Sequence, residues 1–471
     1  MPSYQIWAVL VPIFFHCRSA FRDHRCFHWA CIVVMAFCCG LGPNGGVTEM
    51  IRIIGLSPNV YTSLLGFFES SAILLEQLSS LWLSVLLKKS NPIKLGDYIL
   101  FAVDEIKVGK EGKKMPSVKY LHQSSENNSK PKFIMGHNIA VIALAVRGIL
   151  GETIAMPIFA RILGGIKQTP KEKKTFVDSI VQDIEVLIKN LDTQKAIFVA
   201  DALYCIRSFI KPLVQKGIHV ISRVKKNAVA YKIPTLESKP RRGRKRKYGD
   251  KIKLSTIFDN ISIFKTIASP IPGETNQIQY HTMQLIPDWL GLVVTYIFVI
   301  HPKRGKIILL STNSDLNPIE VYLAYYHRFQ IEISFKNLVY VIGAFTYKFW
   351  TKAMKPLRRG ETTRYTHKET PANRERIFSK LRSYHIYLTL ACIACSLNQF
   401  AAQYYPQKVW SNFGGWLRTI RPNSAPSIEV TAEALRASLP AFLASNKMDG
   451  KLGKFIDEKS RSRGQPKKKA A

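Results

Sequence analysis

The chain has 471 residues, and its 68 lysine and arginine residues against 32 aspartate and glutamate residues give a formal net charge of +36. An apolar fraction of 47% excludes a chain that is disordered throughout, because disordered proteins contain few apolar residues. At roughly 100–200 residues per domain, the length predicts two to four domains. The excess of positive charge favours nucleic acid as the partner.

Residues 1–92 predict a helical N-terminal domain, which we interpret as DNA-binding. Its apolar stretches are separated by the turn residues Gly-Pro-Asn-Gly-Gly at 42–46. The apolar run 29–41 is shorter than the roughly 20 residues that a membrane-spanning helix needs, so no membrane association is expected. The spacing of His24, Cys26, His28 and Cys31 fits no paired zinc-ligand pattern, and we interpret these residues as part of a helical core.

After residue 92 the pattern changes to that of an α/β protein. Strands are predicted at Tyr98–Val103, Ile139–Val146, Thr153–Ile158, Ala196–Ala200 and His219–Arg223, and helices at Lys171–Asn190 and Ile206–Lys216. Three strands in hairpin order, followed by alternating helices and parallel strands, predict a mixed sheet flanked by helices. This is the order of the ribonuclease-H-like fold.

The sequence after residue 227 predicts an inserted subdomain, followed by a second segment of the core. Residues 228–315 contain strand patterns such as Ile261–Ile267, Ile278–Leu285 and Leu292–Ile300, typical of a β insertion subdomain. Long helices follow at Pro318–Ile342 and Arg376–Ala402. The predicted domains are therefore a helical N-terminal domain at 1–92, a core at 93–227 and 316–403 interrupted by the insertion at 228–315, and a C-terminal region with a basic tail at 404–471.

Two carboxylates stand where a site is expected to form. Asp104 and Asp201 each follow a predicted buried strand, and ligands of open α/β sheets bind at the carboxyl ends of strands. Two like charges in one site raise each other's pKa unless a cation neutralises them, and Mg²⁺ fits such a pair. For either aspartate taken alone, a cap of a turn or of the next helix is the preferred interpretation.

The helix after the insertion carries a polar stripe. Tyr325, Arg328, Glu332 and Lys336 fall within about 80° of each other at 100° per residue, so one continuous helix would place them on one face. A solvated face with ion pairs is the plain interpretation. The flanking apolar side chains favour a stripe that turns toward the core, where buried charges need a metal, a phosphate or each other.

The segment 325–336 resembles the signature helix of the DDE transposases of bacterial insertion sequences, whose pattern is Tyr-x2-Arg-x3-Glu-x6-Lys. Tyr325, Arg328 and Glu332 match at the right spacing, whereas Val339 stands at the lysine position and Lys336 is the nearest cation. Further segments resemble the same group in the same order, namely Phe-Ala-Val-Asp at 101–104, 125–133 with Gly136-His137, Val-Ala-Asp-Ala-Leu-Tyr at 199–204 and Ser-Arg-Val-Lys-Lys-Asn at 222–227.

The resemblance implies a ribonuclease-H-like core in which Asp104, Asp201 and Glu332 hold two Mg²⁺ or Mn²⁺ ions. It also implies that Arg328 and Lys336 contact phosphate, that Tyr325 donates a hydrogen bond to it, and that one site nicks the element ends and joins the freed 3′-hydroxyl to target DNA. Double-stranded DNA, a homodimer in the active complex and a bacterial cytoplasmic location near the nucleoid are the further expectations. Two alternatives stay open: a ribonuclease-H-like nuclease without strand transfer, and a decayed or domesticated DNA-binding protein without catalysis.

Three basic segments are candidates for binding DNA. The first contains Arg241, Arg242, Arg244, Lys245, Arg246 and Lys247, whose Arg-Gly-Arg could enter a narrow minor groove or belong to a disordered linker. The second, 347–368, interleaves Lys348, Lys352, Arg358 and Arg359 with aromatic residues that could stack on bases or pack in the core. The third is the basic tail at 459–469, a solvated arm.

Trp289 lies in the Pro-Asp-Trp-Leu turn of the predicted insertion. In similar transposases an aromatic residue of the insertion can stack on an extruded base, which would make Trp289 a DNA-binding residue. Packing in the turn or the core is the preferred interpretation.

Overall fold

The structure, a computed structural model, describes residues 5–123, 131–173, 175–189, 191, 195–234, 246–445 and 448–460. Its α-helices are α1 Gln5–Phe15, α2 His24–Cys38, α3 Val47–Ile54, α4 Tyr61–Glu69, α5 Leu75–Lys89, α6 Phe176–Ile188, α7 Arg207–Gln215, α8 Pro318–Arg328, α9 Gln330–Asn337, α10 Pro371–Tyr404, α11 Pro406–Asn412, α12 Ile428–Leu443 and α13 Gly450–Ser460. Its strands are β1 Lys94–Leu95, β2 Tyr98–Gly109, β3 Lys119–His122, β4 Phe133–Arg147, β5 Thr153–Ile162, β6 Ile166–Lys167, β7 Lys195–Ala200, β8 His219–Arg223, β9 Val229–Tyr231, β10 Lys251–Lys253, β11 Lys265–Ala268, β12 Gln277–Leu285, β13 Val294–His301, β14 Gly305–Ser311 and β15 Arg364–Tyr365.

The chain divides into two compact units. The first unit comprises Met1–Asn91, Glu105–Phe176 and Ile331–Ala471, and the second unit comprises Pro92–Asp104 and Val177–Gln330. Strand β2 and helix α9 each begin in the second unit and continue in the first.

The second unit is built on a mixed sheet. Its strands lie in the order β11-β12-β13-β14-β8-β7-β2; β2, β7 and β8 are parallel, and β8, β14, β13, β12 and β11 pair antiparallel. Helix α7 packs on β8, and α8 packs on β7 and β8. The predicted parallel strands before and after Asp201 are confirmed, and this large mixed sheet with its helices is consistent with a ribonuclease-H-like fold.

The strands of the predicted insertion continue this sheet. Strand β14 pairs with β8 through Leu309 and Arg223, Leu310 and Ser222, and Ser311 and Ile221. The sequence pattern at 261–267 predicted one strand, but the structure has a short 3-10 helix at Ile261–Ile263 followed by β11. Strand β14 itself was not predicted.

The first unit surrounds one long helix. Helix α10 packs on β5 and on α2, α4, α5 and α12, and β5 pairs antiparallel with β4. It is long and apolar enough to cross a membrane, but the 18 residues of its most apolar window are 100% buried within the protein. Such burial is that of a core helix in a soluble protein. Helices occupy most of 5–89, as the sequence predicts for the N-terminal region.

The long helix predicted at 318–342 is observed as a helical segment that is divided at Phe329, whose backbone keeps αR dihedral angles. The structure ends α8 at Arg328, begins α9 at Gln330, and continues into a π-helical turn, Leu338–Ile342. The N–H of Phe329 donates to the carbonyl of Tyr326, three residues earlier, which tightens the last turn of α8. Gly343 then ends the helical segment with a left-handed φ of 76°.

Candidate active site

Asp201 directly follows β7, whereas Asp104 lies within β2, which continues to Gly109. The predicted end of this strand at Val103 is therefore wrong, although its pairing with β7 does end there. Val103 of β2 is the register partner of Ala200 of β7, so the two aspartates directly follow a paired position. The hydroxyl of Ser222 on β8 donates to the carbonyl of Asp201 at 3.0 Å, which fixes the end of β7 against its other neighbour. The two aspartates therefore occupy corresponding positions on adjacent parallel strands, and their convergence in one metal site stays a prediction.

Asp201 also occupies the N-cap position of a short 3-10 helix, Ala202–Tyr204, but its side chain makes no capping hydrogen bond there. Capping, the plain interpretation of an aspartate at a strand end, does not account for this carboxylate. Its side chain is half-buried.

Arg328 and Tyr325, which also belong to the second unit, interact with these aspartates. A guanidinium nitrogen of Arg328 forms an ion pair with a carboxylate oxygen of Asp104, and the two side chains are only 12% and 17% exposed. The Arg328 guanidinium also lies 5.5 Å from the centre of the Tyr325 ring, a cation–π distance. Three of the residues singled out in the signature resemblance thus lie in one cluster.

Burial raises the pKa of the Tyr325 hydroxyl, Arg328 opposes this effect, and the charge of Asp201 adds to it. The hydroxyl therefore stays protonated at neutral pH and can donate a hydrogen bond to an anion. The effect of the Asp201 charge on the pKa of Tyr325 links the second aspartate to the cluster around Asp104.

Glu332 and Lys336 lie on α9, beyond the break in the helix. Glu332 is half-buried and Lys336 is exposed. Tyr325 and Arg328 lie on α8, and Glu332 and Lys336 lie on α9 after the interruption at Phe329, so the common face of all four residues stays a prediction.

A buried polar network that the sequence did not indicate holds α9 in the first unit. The Ser334 hydroxyl donates to the carbonyl of Ala155 on β5 at 2.6 Å. The side-chain amide of Gln399 on α10 donates to the same carbonyl at 3.1 Å and to the Ser334 hydroxyl at 3.0 Å. The clue in the sequence is a polar residue on an apolar helix face, a signal too common to select these two.

The aspartate pair suits a divalent cation in the chemistry of its donors. Carboxylate oxygens are the ligands that Mg²⁺ and Mn²⁺ prefer. Within the part of the chain that the structure describes, no three Asp, Glu, His or Cys side chains are grouped to hold a metal ion. Arg328 neutralises the charge of Asp104. The three-carboxylate site with Glu332 stays a prediction.

The predicted basic cluster before the insertion falls mostly outside the described residues. Arg241, Arg242, Arg244 and Lys245 lie there, as do residues 461–469 of the tail and part of the 125–133 segment. The described members Arg246 and Lys247 are exposed.

Trp289 is half-buried in its turn. Its carbonyl accepts a hydrogen bond of 2.8 Å from the Arg207 guanidinium, and its N–H donates to the Asp288 carboxylate at 2.8 Å. These contacts anchor the backbone of the turn to α7. They support the turn-packing interpretation without testing a role in DNA binding.

The segment 347–368 separates into core and surface residues. Tyr347 and Phe349 are 2% and 8% exposed and belong to the core, whereas Trp350 is 54% exposed. The four cations predicted to bind DNA are all exposed; they are Lys348, Lys352, Arg358 and Arg359.

Comparison with known families gives one match. A family model described as DDE superfamily endonuclease matches residues 44–269, a range that contains Asp104 and Asp201 and ends before Glu332. No match is found among curated proteins. The similarity supports a nuclease or transposase of the DDE type, a class that generally uses divalent metal ions and acts on DNA.

Proposed function

We propose that this protein is a transposase that binds the ends of a DNA element and catalyses metal-dependent cleavage and strand transfer. The observation that carries the proposal is the cluster of Asp104, Asp201, Arg328 and Tyr325. The two aspartates follow a register pair of adjacent parallel strands, Arg328 forms an ion pair with Asp104, and the charge of Asp201 acts on the Tyr325 hydroxyl. The endonuclease similarity over 44–269 supports the class of reaction. The signature resemblance adds Glu332 as the third acid.

In the proposed mechanism, Asp104, Asp201 and Glu332 hold the divalent cations. When bound, such cations activate a water molecule or a DNA 3′-hydroxyl for attack and stabilise the departing oxygen. Arg328 exchanges its contact with Asp104 for a phosphate oxygen of the scissile strand, where a guanidinium can make two parallel hydrogen bonds.

Tyr325 donates a hydrogen bond to a phosphate oxygen, because burial keeps its hydroxyl protonated. Lys336, exposed one turn after Glu332, attracts the DNA backbone. Since transposition acts on two element ends, the active complex is a homodimer bound to double-stranded DNA. The exposed Lys348, Lys352, Arg358 and Arg359 extend this contact, as do the basic cluster 241–247 and, as an alternative to its turn role, Trp289.

Substitution of the three acids tests the site. Asp104→Asn, Asp201→Asn and Glu332→Gln are each expected to lower Mg²⁺-dependent cleavage of labelled DNA ends by about 100-fold or more, because each removes a charged ligand. Duplex binding, measured by fluorescence anisotropy, is expected to stay within about twofold. Asp97→Asn is the matched control, since Asp97 lies on the same chain segment with an 84% exposed side chain.

Cleavage that survives in both aspartate variants contradicts the proposed site. Loss of cleavage together with loss of duplex binding would point to a folding defect, which thermal melting of each variant detects.

A second candidate is hydrolysis without strand transfer, which the endonuclease description of the matching family favours. The same residues would act, and only the product differs. Incubation of a labelled, pre-cleaved element end with a circular target plasmid distinguishes the two: a joined product of increased length indicates a transposase, and nicked target without joining indicates a nuclease. Binding without either product in Mg²⁺ or Mn²⁺ indicates a non-catalytic DNA-binding protein.

A further inference from the structure

The first unit contains a groove of about 1130 Å³ with a strongly basic wall. Four lysines line it, namely Lys110, Lys113, Lys114 and Lys348, and we call it the lysine groove. Glu111 is the one acidic residue among its described lining residues. It contains none of the acids or signature residues of the candidate active site.

Aromatic side chains stand among these cations. Trp350 and Tyr61 line the lysine groove and are 54% and 44% exposed. Large apolar side chains exposed beside a cavity are typical of a binding surface. Beneath them, Tyr347 is buried, and the ammonium group of Lys110 lies 3.9 Å from the centre of its ring.

Backbone carbonyls hold the side chain of Lys110 in place. Its ammonium group donates to the carbonyls of Phe345 and Tyr347. Burial, with a smaller contribution from the charge of Lys348, lowers the pKa of Lys110 to about 7. Among the described lining residues, only Glu111 supplies negative charge to the lysines. A phosphate bound in the lysine groove adds to this counter-charge.

The size of the lysine groove selects among nucleic acids. Its volume is slightly larger than the roughly 300–1,000 Å³ of small-ligand pockets, so it accommodates one or two nucleotides and excludes a duplex from its interior. Cations along a backbone track combined with exposed aromatic rings are the recurring design of grooves that bind a single strand.

We propose that the lysine groove binds a single strand of DNA, with a base stacked on Trp350 and the adjacent phosphates contacting Lys110, Lys113, Lys114 and Lys348. The inference rests on the proposed function for the choice of DNA, and adds a place for a strand that is unpaired. Such strands arise when a cleaved end frays or when a nick frees a flank.

The test uses the full chain carrying Asp104→Asn, so that no cleavage occurs, and a fluorescent 12-nucleotide poly-dT strand as the probe. Trp350→Ala is expected to weaken single-strand binding by about 5- to 150-fold, the range for loss of one stacked base. Trp350→Phe, which keeps a stacking ring, is expected to retain most of the affinity. The matched control is Trp416→Ala, because Trp416 is 86% exposed and does not line the groove.

Charge is tested separately. Lys113→Gln with Lys114→Gln is expected to reduce the slope of log affinity against log salt by about 1.4, which corresponds to two phosphate contacts on a single strand. Lys88→Gln with Lys89→Gln removes the same charge from the end of α5, where both lysines are exposed, and is expected to leave the slope unchanged.

Single-strand affinity equal in Trp350→Ala and Trp416→Ala, alongside normal duplex binding, overturns the inference and leaves the proposed function standing. An equal loss of duplex and single-strand affinity in the Lys113/Lys114 variant would show that the lysine groove does not select a single strand, and this result overturns the inference as well. Absence of any DNA binding by the parent chain contradicts both proposals.

Discussion

Arg328 and Asp104 form an ion pair that water hardly reaches, with side chains 12% and 17% exposed. Asp104 directly follows the last register pair of β2 with β7, the strand that Asp201 follows. The arginine balances the negative charge of Asp104 at this position. Its second contact, to the Tyr325 ring, keeps it in place.

Replacing this arginine is expected to destabilise the protein. Arg328→Met should lower the free energy of unfolding by about 1–3 kcal/mol, because it leaves a largely buried carboxylate without its counter-charge. Millimolar Mg²⁺ should restore part of the loss by binding the folded aspartates. Urea unfolding with and without Mg²⁺ measures both effects, with Lys226→Met, which removes an exposed charge, as the control.

An Arg328→Met midpoint equal to that of the parent chain would show that the ion pair does not stabilise the site. A loss that Mg²⁺ leaves unchanged would mean that the two aspartates do not bind the cation in the folded chain.

The sequence predicts some of the residue contacts in the candidate site and not others. The adjacent positions of Asp104 and Asp201 follow from two buried parallel strands, so they could be predicted. The continuation of β2 to Gly109 could not, because the continuous apolar run ends at Val103. The partner of Asp104 could not, because Arg328 is 224 residues away and no local pattern specifies such a pair. The Ser334–Gln399 network was also beyond prediction, since tertiary packing alone brings the two side chains together.

Among the elements, the break between α8 and α9 shows what periodicity omits. Hydrophobic spacing at 318–342 fits one helix, and Phe329 is not a helix breaker by propensity. The division comes from tertiary packing instead: α8 packs on β7 and β8, whereas Ser334 of α9 bonds to β5. The strands β12 and β13 were predicted close to their observed bounds because each is a long apolar run between turns.

The β13–β14 hairpin is joined to the segment before β12 by a charged cluster. Glu274 accepts hydrogen bonds from Arg304 and, at 3.0 Å, from His301, whose side chain is buried. Arg304 also lies 5.4 Å from the centre of the Tyr326 ring on α8. The cluster therefore connects the strands of the insertion to the helix that carries Tyr325 and Arg328.

This cluster predicts a pH dependence. The hydrogen bond from Arg304, followed by those from His301 and Ser269, lowers the pKa of Glu274 to about 2. A carboxyl with a depressed pKa in the folded state contributes stability above its unfolded pKa near 4.5, and this contribution is lost as the pH falls toward 2. Partial solvent screening limits it to about 1 kcal/mol or less.

Glu274→Gln is therefore expected to be less stable than the parent chain at pH 7, with the difference shrinking between pH 4.5 and 2. Urea midpoints at pH 7, 4 and 3 measure this difference. The control is Glu320→Gln, which changes an exposed acid in the first turn of α8. A difference that persists undiminished at pH 3 would mean that the charge of Glu274 does not stabilise the cluster.

For the whole molecule, the net charge of +36 acts through separate surfaces. The lysine groove and the exposed cations at 348–359 lie in the first unit, and Arg246 and Lys247 lie in the second. A further five lysines and arginines fall within 461–471. Distributed charge of this kind draws DNA to the protein at low salt, whereas specificity depends on the few residues that touch it at fixed positions.

Removal of residues 461–471 separates these contributions. The deletion retains α13 and the hydrogen bond of 2.9 Å from the N–H of Ser57 to the carbonyl of Lys459. Duplex binding should lose salt dependence, with the slope reduced by up to about 4.5 if all five cations contact phosphate. Preference for element ends over random DNA should persist. An unchanged slope would show that the tail contacts no phosphate.

The first unit is assembled from three separate stretches of chain, and this order constrains its biosynthesis. The indole N–H of Trp7 on α1 donates to the carbonyl of Leu435 on α12 at 3.0 Å, across 428 residues. At about 5–20 residues per second, a ribosome needs about 20–90 s to make that partner after α1 has emerged. Through that interval the apolar helices α1 and α2 lack the core that buries them, and exposed apolar surface of this kind favours aggregation. A chain that terminates before α10 never completes this unit, so premature stops should yield protein that aggregates or is degraded.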